Sequence, residues 1–152
     1  MKKLFFKSLS PFSAQPKLKH IHITGFSQNP DVVTSTFDTT KKTITESSPL
    51  ELFLYSLISC ENATFRFIAQ TKKIKIGKIN FPKVEAFYDV RGFTGQEPNN
   101  KFSEINIRME VESEAEQGKL EEMVSDMKKQ CPVYWMISHS GVVINTEIIK
   151  SV

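Results

Sequence analysis

From Leu52 to Cys60 the chain is apolar on almost every side: Leu52, Phe53, Leu54, Tyr55, Leu57, Ile58 and Cys60 are separated only by serines. Ahead of this run stand Ser48 and Pro49, residue types that favour a helix N-cap and the first helical position. Glu51, three residues after Ser48, completes a capping-box pattern. The spacing predicts a helix from Ser48 to about Gln70. A helix with no polar side must be buried, and its apolar run is far shorter than the roughly 20 residues that cross a bilayer. It reads as a core helix that carries a cysteine.

The flanking segments alternate as strands do. Ile21 and Ile23 oppose His20, His22 and Thr24, and Asn29-Pro30-Asp31 ends that run. Val33, Ser35 and Phe37 share one side of a second strand, with Thr43-Ile44-Thr45 as a third, and turn residues between them predict an antiparallel meander. After the helix, Ile74, Ile76 and Phe81 mark a strand interrupted at Gly77 and Pro82, and Val84, Ala86, Tyr88 and Val90 mark the next. Ile105, Ile107, Met109 and Val111 alternate with charged and amide residues, giving one packed and one wet face. Ser113 and Glu116 form a second capping box, opening a helix that buries Leu120, Met123, Val124 and Met127. Cys131-Pro132 ends that helix and starts a short one with Cys131 as its N-cap. A last strand, VVINTEII, follows. The order is that of an α+β domain over residues 17–152. Residues 1–16, with Phe5, Phe6 and Phe12, form a leader that either dangles or docks on an apolar patch.

Composition narrows the function. A chain of 152 residues suits one domain with its own core. Its 20 basic and 17 acidic residues are dispersed rather than gathered on one face, so no nucleic-acid partner is expected. MKKLFF begins like an export signal, but Lys7 ends the apolar stretch, and two cysteines in such a chain read as reduced cytoplasmic thiols. His20 and His22 lack a third ligand at a usable spacing, so no metal is expected, and no phosphate loop or cofactor fingerprint is present. His139 is either a base for a nearby thiol or a surface turn residue. Lys128, Lys129 and the helix terminus are expected to favour a Cys131 thiolate.

SPLELFLYSLISC, followed about 70 residues later by QCPV, resembles the OsmC/Ohr family, the osmotically induced and organic-hydroperoxide-resistance proteins. The family signature places a cysteine eleven residues after the helix proline, as Pro49 and Cys60 are, and a second in Cys-Pro, as Cys131-Pro132 is. The resemblance covers roughly residues 20–152 and is closest to the broader OsmC-like branch. It implies antiparallel sheets packed around a long buried central helix, in an intertwined homodimer. It also implies Cys60 as peroxidatic thiol and Cys131 as resolving thiol for organic hydroperoxides, with a dithiol reductant. Phe53, Leu57, Tyr134 and Trp135 are the apolar side chains expected to receive the organic group. Peroxidase members hold their thiolate with an N-terminal arginine and a glutamate directly after the proline. Here the first arginine is Arg66, Leu50 follows Pro49, and the carboxylate sits at Glu51, half a turn from Cys60. Lys17, Lys19, Lys41 and Lys42 are the candidate replacement cations. The alternative is a non-catalytic or redox-sensing protein of this fold that binds an apolar small molecule at its dimer interface.

Overall fold

The computed structural model describes residues 17–18, 21–26, 33–37, 49–92, 95 and 101–151, the strands before residue 40 by their backbone. The leader 1–16, Ser48 of the first capping box and the strand expected at 43–45 lie outside the described residues. Three helices and one six-stranded sheet make up the described fold, an α+β arrangement.

The central helix, α1 (Pro49–Thr71), forms as its pattern predicts. Leu54, Leu57, Ile58, Phe65, Ile68 and Ala69 are buried along it, recurring at the three- and four-residue spacing of one helical face. All-round burial is not met within one chain. Leu52, Phe53 and Phe67 are exposed on α1.

The strands are β1 (Lys17–Leu18), β2 (Ile21–Phe26), β3 (Val33–Phe37), β4 (Ile76–Asp89), β5 (Phe102–Ser113) and β6 (Val143–Ser151). Their order is β3-β2-β4-β5-β6, with β1 also on β4. The pairs β2–β3 and β4–β5 are antiparallel, but β1 and β2 run parallel to β4, and β6 runs parallel to β5. The sheet is therefore mixed rather than antiparallel throughout. Each parallel pair is separated in sequence by at least one helix, as parallel pairing requires a long connection.

β4 is one continuous strand of 14 residues, not two interrupted at Gly77 and Pro82. The register shifts between Asn80 and Lys83, which accommodates a proline that has no N–H to give to a ladder. The buried positions change parity there, from Ile79 and Phe81 to Val84 and Ala86. One extra residue turns the alternation over and keeps the same face inward. The strand stops at Asp89, whose Oδ1 accepts hydrogen bonds from Arg91 N and Nε at 2.9 and 3.0 Å.

α2 (Gln117–Gln130) buries Leu120, Met123, Val124 and Met127, the four residues its period predicts. Its capping box does not form. Glu116 is the N-cap and makes no side-chain cap bond. Ser113 Oγ instead donates to Lys75 O at 2.8 Å and accepts from Ala115 N at 3.1 Å, tying the end of β5 to the start of β4. α3 (Pro132–His139) follows at once.

Two substitutions of opposite sign check this packing by urea unfolding. Phe65 is fully buried, so Phe65→Ala should lower the unfolding free energy by roughly 3–5 kcal/mol. A Cβ on Gly118 meets nothing within 4 Å, so Gly118→Ala in α2 should raise it by about 0.5–1 kcal/mol.

Candidate functional site

α2 ends at Cys131, whose amide donates to Met127 O at 2.8 Å, and Pro132 suits the first turn of the helix that follows. Cys131 is the N-cap of α3, as its position before proline predicts. Its Sγ accepts from the Tyr134 amide at 3.4 Å. α1 packs against both α2 and α3. That packing brings Cys60, in the middle of α1, near enough to Cys131 for the two thiols to influence one another. Both are free thiols. Cys60 is half-buried, whereas Cys131 is fully buried.

Burial pushes the Cys131 thiol up to about 12. The Tyr134 amide favours the thiolate but does not offset this, and the Cys60 thiol and the Glu61 carboxyl push the same way as burial. The expected thiolate at Cys131 is thus overturned by desolvation of its sulfur. The lysines are engaged otherwise: Lys128 Nζ lies 5.9 Å over the Tyr134 ring, and Lys129 Nζ is 3.9 Å from Asp126.

Glu61 is the member of this cluster that the sequence reading passed over. Its side chain is fully buried, and among the described residues neither carboxyl oxygen has a hydrogen-bond partner. Burial raises its carboxyl to about 8, with Lys128 pulling back from a distance. The charge of Glu61 in turn adds to the effect of burial in raising Tyr134. A signal was present: Glu61 falls on the buried stripe of Leu54, Leu57, Ile58 and Phe65. Carrying that spacing past Cys60 puts a carboxyl on the core face. Glu51, read as a capping residue, is itself buried at 3% exposure.

Arg66 does not reach the thiols as a guanidinium clamp. Its Nη1 donates to Gly77 O at 3.3 Å, and burial lowers its pKa. Lys19, Lys41, Lys42 and His20 lie outside the described residues, and Lys17 and His22 lie on β1 and β2. His139 is turned to its own helix: Nδ1 donates to Trp135 O at 2.8 Å, and its ring stacks on Trp135 at 4.0 Å.

The expected apolar group is divided. Tyr134 lies beside the thiols and Leu57 is fully buried, but Trp135 is 52% exposed. Phe53 stacks on Phe102 at 5.8 Å and helps to line a cavity of about 570 Å³, with Leu50, Tyr88, Val133 and Met136. Lys101 stands at that cavity, its Nζ donating to Ser140 O at 2.7 Å. Neither cysteine lines the cavity; Phe53 precedes Cys60 by two turns, about 10 Å along α1, and Val133 follows Cys131 by two residues. Among the described residues, no helix is long and apolar enough to cross a membrane.

Fold and site together define an α+β protein with a reduced thiol pair held where three helices meet. The sequence pattern of the family described as OsmC-like protein matches residues 39–147, and the chain belongs to that family. A hydroperoxide reductase from Mycoplasma genitalium is 29% identical over 90 residues, which cover 57% of this chain and 59% of that protein. The match therefore spans less than two thirds of that relative. The crystal structure of an OsmC-like protein from Mycoplasma pneumoniae is similar with a TM-score of 0.61 at 23% identity, over 85% of this chain and 88% of that one. An OsmC-like protein of unknown function from Vibrio cholerae gives 0.55 at 17% identity over 78% of each chain. These two likenesses are of fold.

The buried carboxyl sets a pH dependence. Glu61 has a folded-state pKa of about 8, above its ordinary 4.5. Below the lower value the carboxyl is neutral folded or unfolded and adds no pH dependence. Between the two values only the unfolded chain releases the proton, so stability falls as pH rises, by roughly 4–5 kcal/mol in all. Unfolding midpoints measured from pH 4 to 9 should decline across this window, and Glu61→Gln should flatten the decline.

Proposed function

We propose that the protein is a thiol-dependent peroxidase that reduces organic hydroperoxides, acting as a homodimer in the reducing cytoplasm. The observation that carries this reading is the nearness of Cys60 to Cys131 with their unequal exposure. Cys60 is the thiol a peroxide can reach. As thiolate it attacks a peroxide oxygen, forming a sulfenic acid and releasing an alcohol. Cys131, buried near it, condenses with the sulfenic acid to a disulfide and water. An external dithiol returns both thiols by exchange. The apolar cavity between α1 and α3 takes the organic part, at roughly 25 cal/mol for each Å² buried. The name of the Mycoplasma genitalium relative points to the same chemistry.

The homodimer follows from the uncovered side of α1. Leu52, Phe53 and Phe67 would be covered by a second copy. Sedimentation at micromolar concentration should give a dimer, and the unfolding midpoint should rise with protein concentration. A stable monomer would count heavily against this assembly.

A second reading has its own support. The raised Cys131 thiol and the apolar cavity also suit a non-catalytic or redox-sensing protein that binds an apolar small molecule. A stoichiometric dose of cumene hydroperoxide followed by mass spectrometry separates the two. The peroxidase reading expects a Cys60–Cys131 disulfide, no peroxide consumption in Cys60→Ser, and a trapped sulfenic acid in Cys131→Ser. Two free thiols beside persisting peroxide would leave the binding reading in its place.

A further inference from the structure

Among the described residues that line the apolar cavity beside α1, Lys101 alone bears a charge, and none is a carboxylate. Its ammonium is held from two sides. Nζ donates to Ser140 O at 2.7 Å, and Ser140 lines the same cavity. Gly141, at a φ of 81°, leaves open the space a side chain would fill: a Cβ there would stand 2.7 Å from Nζ. An ammonium has three N–H donors, and capping the last turn of α3 at Ser140 uses one of them. Among the described residues no carboxylate pairs with Lys101. The walls are Leu50, Phe53, Phe102, Val133 and Met136. At about 570 Å³ the cavity has the size of a small-molecule site, and such sites set a few placed polar groups against apolar walls.

We infer that this cavity takes an amphiphilic monoanion, an apolar chain or ring carrying one carboxylate, and that Lys101 is the residue that selects the negative end. The apolar body lies against Phe53, Phe102 and Met136, and the carboxylate accepts from the N–H donors that Ser140 leaves to Lys101. Lys101 is exposed, so the carboxylate keeps part of its water and the desolvation cost of the ion pair stays small. The walls supply most of the affinity and the ammonium supplies the choice between ligands. A neutral molecule of the same shape gains only the walls, and a cationic one meets a like charge. The inference rests on giving this cavity to an organic group, which both readings of function share, and it involves neither thiol.

The test compares decanoate with decan-1-ol on the full chain by titration calorimetry, and its first arm needs no variant. The acid should bind about tenfold more tightly than the alcohol, the worth of one hydrogen bond to a charged group, and raised salt should shrink that margin. Lys101→Met removes the ammonium from an exposed position, so the variant should fold and lose the margin, whereas Lys101→Arg should keep it. The Met136 methyl resonance, assigned with Met136→Leu, should move when decanoate binds. Equal affinity for acid and alcohol, a margin that survives Lys101→Met, or binding that leaves Met136 unmoved would each overturn the inference. Binding of neither compound would also overturn it and give the cavity to the second copy. Cumene hydroperoxide separates this failure from that of the peroxidase reading. A Cys60–Cys131 disulfide without preference for the acid keeps the peroxidase and removes the anion site. Free thiols beside the expected preference keep the site and leave the binding reading.

Discussion

Leu54, Leu57, Ile58 and Phe65 are wholly removed from water on one side of α1, which packs against the sheet and against α2 and α3. Four such side chains contribute of order 10 kcal/mol, an upper figure because the unfolded chain already hides part of this surface. That exceeds the roughly 5 kcal/mol lost when Glu61 keeps its proton in a solvent that would remove it. The helix therefore stays docked with a carboxyl and a thiol inside it. Everything chemical about the junction descends from that balance: the Cys131 sulfur is dry because the stripe beside it is packed.

Desolvation and charge act against each other at Cys131, and the two sulfurs differ in exposure. At Cys131 the helix terminus and the nearby lysines are the right groups to stabilise a thiolate, yet burial outweighs them. The Tyr134 amide gives one hydrogen bond, at 3.4 Å, to a sulfur that has lost its whole hydration shell. Cys60 retains part of its contact with solvent. The pair thus has the asymmetry a two-thiol reaction needs, one sulfur that a reagent can meet and one that only its neighbour can.

The fold was largely legible in the chain because its signals are local. Pro49 and the apolar run define α1, the four-residue set from Leu120 to Met127 defines α2, and proline after Cys131 sets the start of α3. Parallel pairing of β2 with β4 and of β5 with β6 was not legible, since alternation marks a strand but not the direction of its neighbour. Nor was the continuity of β4 through Pro82, which depends on a register shift against β5. At the site, both cysteines were readable from motif and spacing. The electrostatics were not, because the fate of Lys128 and of Cys131 is decided by burial that only three packed helices create. Glu61 could have been found by extending one helical stripe by a single turn.

The side of α1 left uncovered bears on the chemistry as much as the buried side does. Phe53, Cys60 and Phe67 recur every seven residues, a spacing that drifts by only about 20° per step around a helix. The reachable thiol therefore lies on the same side as two exposed phenylalanines, at 40% and 49% exposure. An apolar face of this kind is costly to leave in water, and any surface that covers it also closes over Cys60. The same closure would raise the cost of a Cys60 thiolate, since it removes solvent from the sulfur without supplying a cation. A covering surface compatible with peroxide chemistry must therefore bring a positive charge or hydrogen-bond donors to Cys60, and one that brings only apolar groups makes a binding site. Which of the two covers α1 is thus the same physical question as whether the chain is a catalyst.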